Sequence, residues 1–197
     1  MSAEIIELDD VDGLGAGAVG EPGQRAFYIQ ARTEQTQLTV LVEKEQVALL
    51  ATEAVAFLDR IAEDYPEEAS AVAEPVERQA GLREPTVPLF RARLIGLGYD
   101  PDRELVLIEL RERSTDDEEE GEASPSEDDP VAGLSEAVAE AANEDDEEGY
   151  VARIYATRPQ VRAMAAKGAE AVAAGRPLCP LCDMPMDPSG HRCPRWN

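Results

Sequence analysis

Leu41-Val-Glu-Lys-Glu-Gln-Val47 reads as a strand that crosses a charged turn and enters a helix. Beyond it, Val47, Leu50, Ala54, Phe57, Leu58 and Ile61 recur at spacings of three and four, so one helix face is apolar. That helix should fade near Tyr65-Pro66. Before it, Leu38-Thr-Val-Leu-Val42 and Phe27-Tyr-Ile-Gln-Ala-Arg32 are β-like runs, and the polar Thr33–Gln37 stretch suits a hairpin loop between them. The junction has a second copy. Tyr155-Ala-Thr-Arg-Pro-Gln-Val161 also leaves a strand, Tyr150–Ala156, and enters a helix expected over Pro159–Ala174. Gln46 and Val47 align with Gln160 and Val161, and Leu50 and Ala51 with Met164 and Ala165. The expected architecture is an α+β fold with antiparallel sheets and two packed helices; the repeated junction suggests two β-β-β-α halves, although any strand–helix junction can look alike and two identical residues prove little.

The remaining segments fit around these junctions. Glu4–Leu8 makes a short strand. Phe90–Tyr99 and Leu105–Arg111 form a hairpin, with Asp100-Pro-Asp-Arg103 as its turn, because Pro fixes φ and Asp caps the turn. Residues 66–88, rich in Pro, Glu and Ala, read as a loosely ordered connection. Gly15-Ala-Gly17-Ala-Val-Gly20 matches the dinucleotide pattern, but a β-like run follows it instead of a helix, so it reads as a flexible turn. Gly175 and Pro177 stop the second helix.

The 197 residues carry a net charge of −24, with sixteen Arg and two Lys. Residues 114–149 alone hold sixteen Asp or Glu and no base, and like charge at that density opposes packing, so this segment reads as a disordered acidic insertion. Residues 1–113 and 150–176 then make one α+β domain, and 177–197 a zinc knuckle. An acidic surface disfavours nucleic acid and anionic membranes. The N-terminus lacks a signal-peptide pattern, and no apolar run approaches ~18 residues, so a cytoplasmic protein is expected.

Chemistry concentrates at the C-terminus, in Cys179-Pro-Leu-Cys182-Asp-Met-Pro-Met-Asp-Pro-Ser-Gly-His191-Arg-Cys193. Three thiols within fifteen residues of a cytoplasmic chain read as metal ligands. Cys179, Cys182, His191 and Cys193 make a closed set for structural Zn²⁺, which leaves no open position for catalysis. His191 and Cys193 are one residue apart, so an extended chain would point them to opposite sides unless it bends at Arg192. Asp183 and Asp187 are substitute ligands. Met184, Met186 and Trp196 are placed to pack the knuckle on the domain or on a partner. His191 is the sole histidine, so no Cys-His or Ser-His nucleophile can be assembled without it.

Glu21-Pro-Gly-Gln-Arg25, Glu43-Lys-Glu-Gln-Val47, Leu97-Gly-Tyr-Asp-Pro101, Ala174-Gly-Arg-Pro177 and the Cys-rich ending together resemble an uncharacterised actinobacterial family, a domain of unknown function. The resemblance spans nearly all the chain except 114–149. It implies no established activity. Its association with kinase-like and phosphatase-like proteins implies a partnered role. Two functions are expected from this reading. One is a zinc-stabilised cytoplasmic protein that binds other proteins without catalysis of its own. The other is an enzyme, or an accessory subunit, acting on a small phosphorylated or thiol metabolite in a pocket lined by Arg25, Arg32, Arg91 or Arg93.

Overall fold

A computed structural model of the chain describes residues 3–9, 11–66, 78–112, 149–176, 179–182, 184, 186 and 191–196. The elements are β1 (Glu4–Leu8), β2 (Gly13–Val19), β3 (Ala26–Arg32), β4 (Gln37–Val42), α1 (Lys44–Asp64), β5 (Phe90–Arg91), β6 (Leu94–Asp100), β7 (Leu105–Arg111), β8 (Tyr150–Ala156) and α2 (Arg158–Ala173). They form two four-stranded sheets, ordered β2-β3-β4-β5 and β6-β7-β8-β1. The acidic insertion falls almost wholly outside the described residues, as do 67–77 of the Pro/Glu/Ala-rich connection.

The two halves match strand for strand. Gly13 stands opposite Arg32 in β2–β3, and Leu94 opposite Arg111 in β6–β7. Phe27 faces Val42 in β3–β4, and Val106 faces Ala156 in β7–β8. Each meander runs directly into its helix. The sheets are mixed and not wholly antiparallel, because each half lends an edge strand to the other. The run expected over Phe90–Tyr99 divides at Ala92-Arg93: β5 pairs parallel with β4, while β6 belongs to the second sheet. In the same way β1 pairs parallel with β8. The exchange ties the halves together through backbone hydrogen bonds that no single half can make.

Equivalent glutamines fasten the exchange at the start of each helix. The Glu43 N–H donates to Gln46 Oε1 (2.8 Å), and Gln46 Nε2 donates to the carbonyls of Ala92 and Arg93, between β5 and β6. The Thr157 N–H donates to Gln160 Oε1 (2.8 Å), and Gln160 Nε2 donates to the Val11 carbonyl, between β1 and β2 (2.5 Å). Each side chain both closes a capping box and clamps the crossing of a swapped strand.

One buried core joins both sheets and both helices. It takes Ile29, Val40, Ile108 and Ile154 from the strands, Val47, Leu50, Ala54, Leu58 and Ile61 from α1, and Val161, Met164 and Ala165 from α2. The α1 face is therefore the one its spacing predicted, with Phe57 packed at its margin. Helices α1 and α2 pack on each other, α2 over β2 and α1 over β6. The β6–β7 turn also forms as expected, with Asp100 Oδ1 accepting from the N–H groups of Asp102 and Arg103 (3.1 Å each).

The glycine-rich stretch is a strand, β2, and not the flexible turn expected from its composition. Residues 79–83 lie directly against it. A Cβ on Gly15 would come within 2.6 Å of the Ala80 carbonyl oxygen, and one on Gly17 within 3.0 Å of Leu82. The alternating glycines are thus a close-approach surface, which reverses the usual reading of glycine as a strand breaker. Arg32 and Gln30 complete the attachment. Arg32 donates to the Gly81 carbonyl (3.2 Å), to the Gln79 carbonyl and to Gln30 Oε1 (3.0 Å), while Gln30 exchanges bonds with the Arg83 backbone (2.8 and 2.9 Å). Ala80 beneath them is fully buried, so this part of the connection is held firmly, contrary to the loose ordering expected. Among the described residues no helix is long and apolar enough to cross a membrane.

Candidate metal centre

Chain after α2 brings all four predicted ligands together. One donor atom each from Cys179, Cys182, His191 and Cys193 lies within 4.8 Å of every other. Cys179 Sγ is 3.8 Å from Cys193 Sγ, and Cys182 Sγ is 3.4 Å from His191 Nε2. The obstacle expected at the single-residue gap does not arise. Residues 191–193 belong to no strand, and the turn that follows, closed by Trp196 N–H to the Cys193 carbonyl (3.1 Å), is not bound by strand alternation. Asp183 and Asp187, the substitute ligands, lie outside the described residues.

Backbone geometry prepares the site. The Cys179-Pro-Leu-Cys182 segment turns so that the Leu181 N–H, and then that of Cys182, point at the Cys179 sulfur. These donors outweigh the cost of desolvation and bring the Cys179 thiol down to about 6 from an ordinary 9.0. Burial pushes the neighbouring Cys182 thiol up, and hydrogen bonding with Cys179 and Cys193 and repulsion from a Cys179 thiolate add to the rise. That repulsion is what a cation at the centre relieves. Two further bonds brace the loop: Cys179 N–H to the Met184 carbonyl (2.9 Å) and Arg195 Nη1 to the Leu181 carbonyl (3.0 Å). Three thiols and one imidazole converging on one point are a donor set for a metal ion.

Trp196 is 82% exposed, and Leu181 and Met184 are each 48% exposed. They do not pack into the domain core; they stand in solvent on the segments that carry the Cys-His cluster.

The four arginines considered as pocket lining fall in three places. Arg32 lines a polar cleft with Arg83 and Gln79, and its own guanidinium is committed to the 79–83 segment. Arg93 lines a groove beside Leu49, Leu94 and Leu97. Arg25 and Arg91 do meet, in a cleft of about 440 Å³ that also takes in Lys44 and Arg176. Sequence reasoning missed both of those residues. Lys44 opens α1 and Arg176 trails α2, and only tertiary packing brings the two helix ends to one place.

No curated protein and no solved structure matches the chain. A family model described as "Protein of unknown function (DUF3090)" matches residues 6–193, a span that takes in both halves of the fold and all four residues of the Cys-His cluster. The chain therefore belongs to the DUF3090 family.

Proposed function

We propose that the protein is a zinc-stabilised, cytoplasmic protein-binding module without catalysis of its own, and that the C-terminal knuckle is its contact surface. Zinc is favoured by the donors. A tetrahedral ion with Zn–S bonds of about 2.3 Å needs S···S edges of about 3.8 Å and S···N edges of about 3.6 Å. Two of the six edges here are 3.8 Å and 3.4 Å, and all six lie within 4.8 Å. Four protein ligands fill the tetrahedron, so the ion has a structural role and its bound water has no position to occupy.

The observation that carries the binding role is the exposed apolar rim. A large indole, a thioether and a leucine stand in solvent around a metal-braced loop. Tryptophan at such a position has the size and rigidity of an interface anchor. A partner with an apolar pocket fits this rim.

The experiment is affinity capture from source-cell extract with three baits, followed by metal analysis of each. Wild type should hold one zinc and retain a partner. Trp196→Ala should hold the zinc and lose the partner. Cys179→Ser with Cys182→Ser should lose both while the α+β domain stays folded. A partner retained by Trp196→Ala, or no partner on a zinc-loaded wild-type bait, would overturn the proposal.

A further inference from the structure

The duplication supplies an internal comparison. Lys44 at the start of α1 corresponds to Arg158 at the start of α2, and Ala18 in β2 to Tyr99 in β6. In the second half the corner between these positions is filled. Arg158 donates to the Tyr65 carbonyl (2.7 Å) and to the Tyr99 hydroxyl (2.6 Å), the Tyr65 and Tyr99 rings sit 5.1 Å apart, and Arg103 pairs with Asp9 while lying 4.0 Å over the Tyr155 ring.

In the first half the same corner is open. Ala18 stands where the other half has Tyr99, and α2 has 16 residues against 21 in α1, so it ends more than a turn short of any counterpart to Tyr65. The cleft of about 440 Å³ opens at this corner, beside Phe27, the cross-strand partner of Ala18. Arg25, Lys44, Arg91 and Arg176 line it, with Glu43 as the sole carboxylate among its lining residues. Glu43 is engaged with Arg91 at 2.7 Å. Arg25 reaches the Ala171 carbonyl at 3.5 Å, a long bond that an anion can displace. Phe27, Leu41, Val42 and Val172 supply an apolar wall.

From this corner we infer that the cleft between the start of α1 and the end of α2 binds a small phosphorylated metabolite, its phosphate held by Arg25, Lys44 and Arg91 and its organic body against Phe27 and Val172. Four cations to one acid is the reverse of the balance elsewhere in a chain with 42 acidic and 18 basic residues. Guanidinium forks match phosphate oxygens in pairs, and lysine adds a point charge. The depth and the apolar wall suit a small molecule. A nucleic-acid backbone would need an extended basic track, and the acidic surroundings repel it.

The test is calorimetric titration of the full-length, zinc-loaded protein with inorganic phosphate and with pyrophosphate, in a buffer free of other oxyanions. One saturable site is expected. Arg25→Ser combined with Lys44→Ser should weaken it at least about tenfold, and Arg25→Lys by less. Arg93→Ser, in the separate groove, and Trp196→Ala, on the knuckle, should leave it unchanged. Failure of either probe to saturate, or equal affinity in the Arg25/Lys44 double variant, would refute the assignment. Neither result bears on the knuckle, because Trp196 and the metal lie outside the cleft.

Discussion

Gln46 and Gln160 occupy equivalent places but differ in burial, so replacing each by alanine separates the clamp from the cap. Gln160 is 9% exposed, and its bond to the Val11 carbonyl is buried, Val11 itself being 2% exposed. Gln160→Ala strands that carbonyl and removes the acceptor of the Thr157 N–H. Leaving a buried group unsatisfied costs roughly 1–3 kcal/mol, and a lost part-buried capping bond roughly 1 kcal/mol, for a total of roughly 3 kcal/mol. Gln46→Ala removes the same bonds where water can replace them, at Glu43 N–H and the Arg93 carbonyl. Its cost should be roughly 1 kcal/mol. Urea unfolding followed by far-UV circular dichroism at fixed zinc measures both. Dichroism is the suitable probe, since the one tryptophan, Trp196, is exposed on the knuckle and blind to the core. The midpoint should shift with an unchanged slope. Equal costs for the two variants, or a Gln160→Ala cost below about 1 kcal/mol, would show that the swapped-strand crossing is not held by this side chain.

Gly15→Ala should destabilise by roughly 1–3 kcal/mol and release the 79–83 segment to proteolysis, because the new methyl meets the Ala80 carbonyl oxygen at 2.6 Å. Gly98→Ala in β6 is the control: its methyl meets Leu107 at an ordinary 3.6 Å and should be nearly neutral by the same unfolding assay. Glu109 bridges Arg111 (2.7 Å) and Arg153 (2.9 Å). Burial alone would raise its carboxyl, but hydrogen bonds from Arg153 and Arg111 hold it below its ordinary 4.5. A depressed carboxyl contributes stability above its unfolded value and loses it as pH falls through the folded one. Wild type should therefore lose stability relative to Glu109→Gln as pH drops below the ordinary carboxylate range. Above that range the variant should be weaker by roughly 1 kcal/mol once solvent screening is allowed for, and a difference that does not vary with pH would count against the bridge.

Local pattern reached far in this chain. The apolar stripe of α1, the Asp100 turn, the Thr33–Gln37 hairpin and the strand–helix junctions at Gln46 and Gln160 are all decided by neighbours within a few residues, and these were legible. The Cys-His cluster was legible for the same reason: Cys179, Cys182, His191 and Cys193 lie within fifteen residues, so the chain between them has little choice but to bring their donors together.

What sequence could not reach was partnership across long separations. β2 reads as a turn until residues 79–83 are laid on its glycines. The run Phe90–Tyr99 reads as one strand until β4 and β7 claim its two ends. Arg25, Lys44, Arg91 and Arg176 meet only when the ends of both helices and an exchanged strand are in place. The amino-acid order by itself determined both helices, most of the strands, the repeated junction and the Cys-His cluster, because periodicity, caps and short loops act locally. Tertiary structure alone decided which edges are exchanged, which glycines are covered and which corner stays open, because those outcomes depend on the shape of surfaces brought together from opposite ends of the chain.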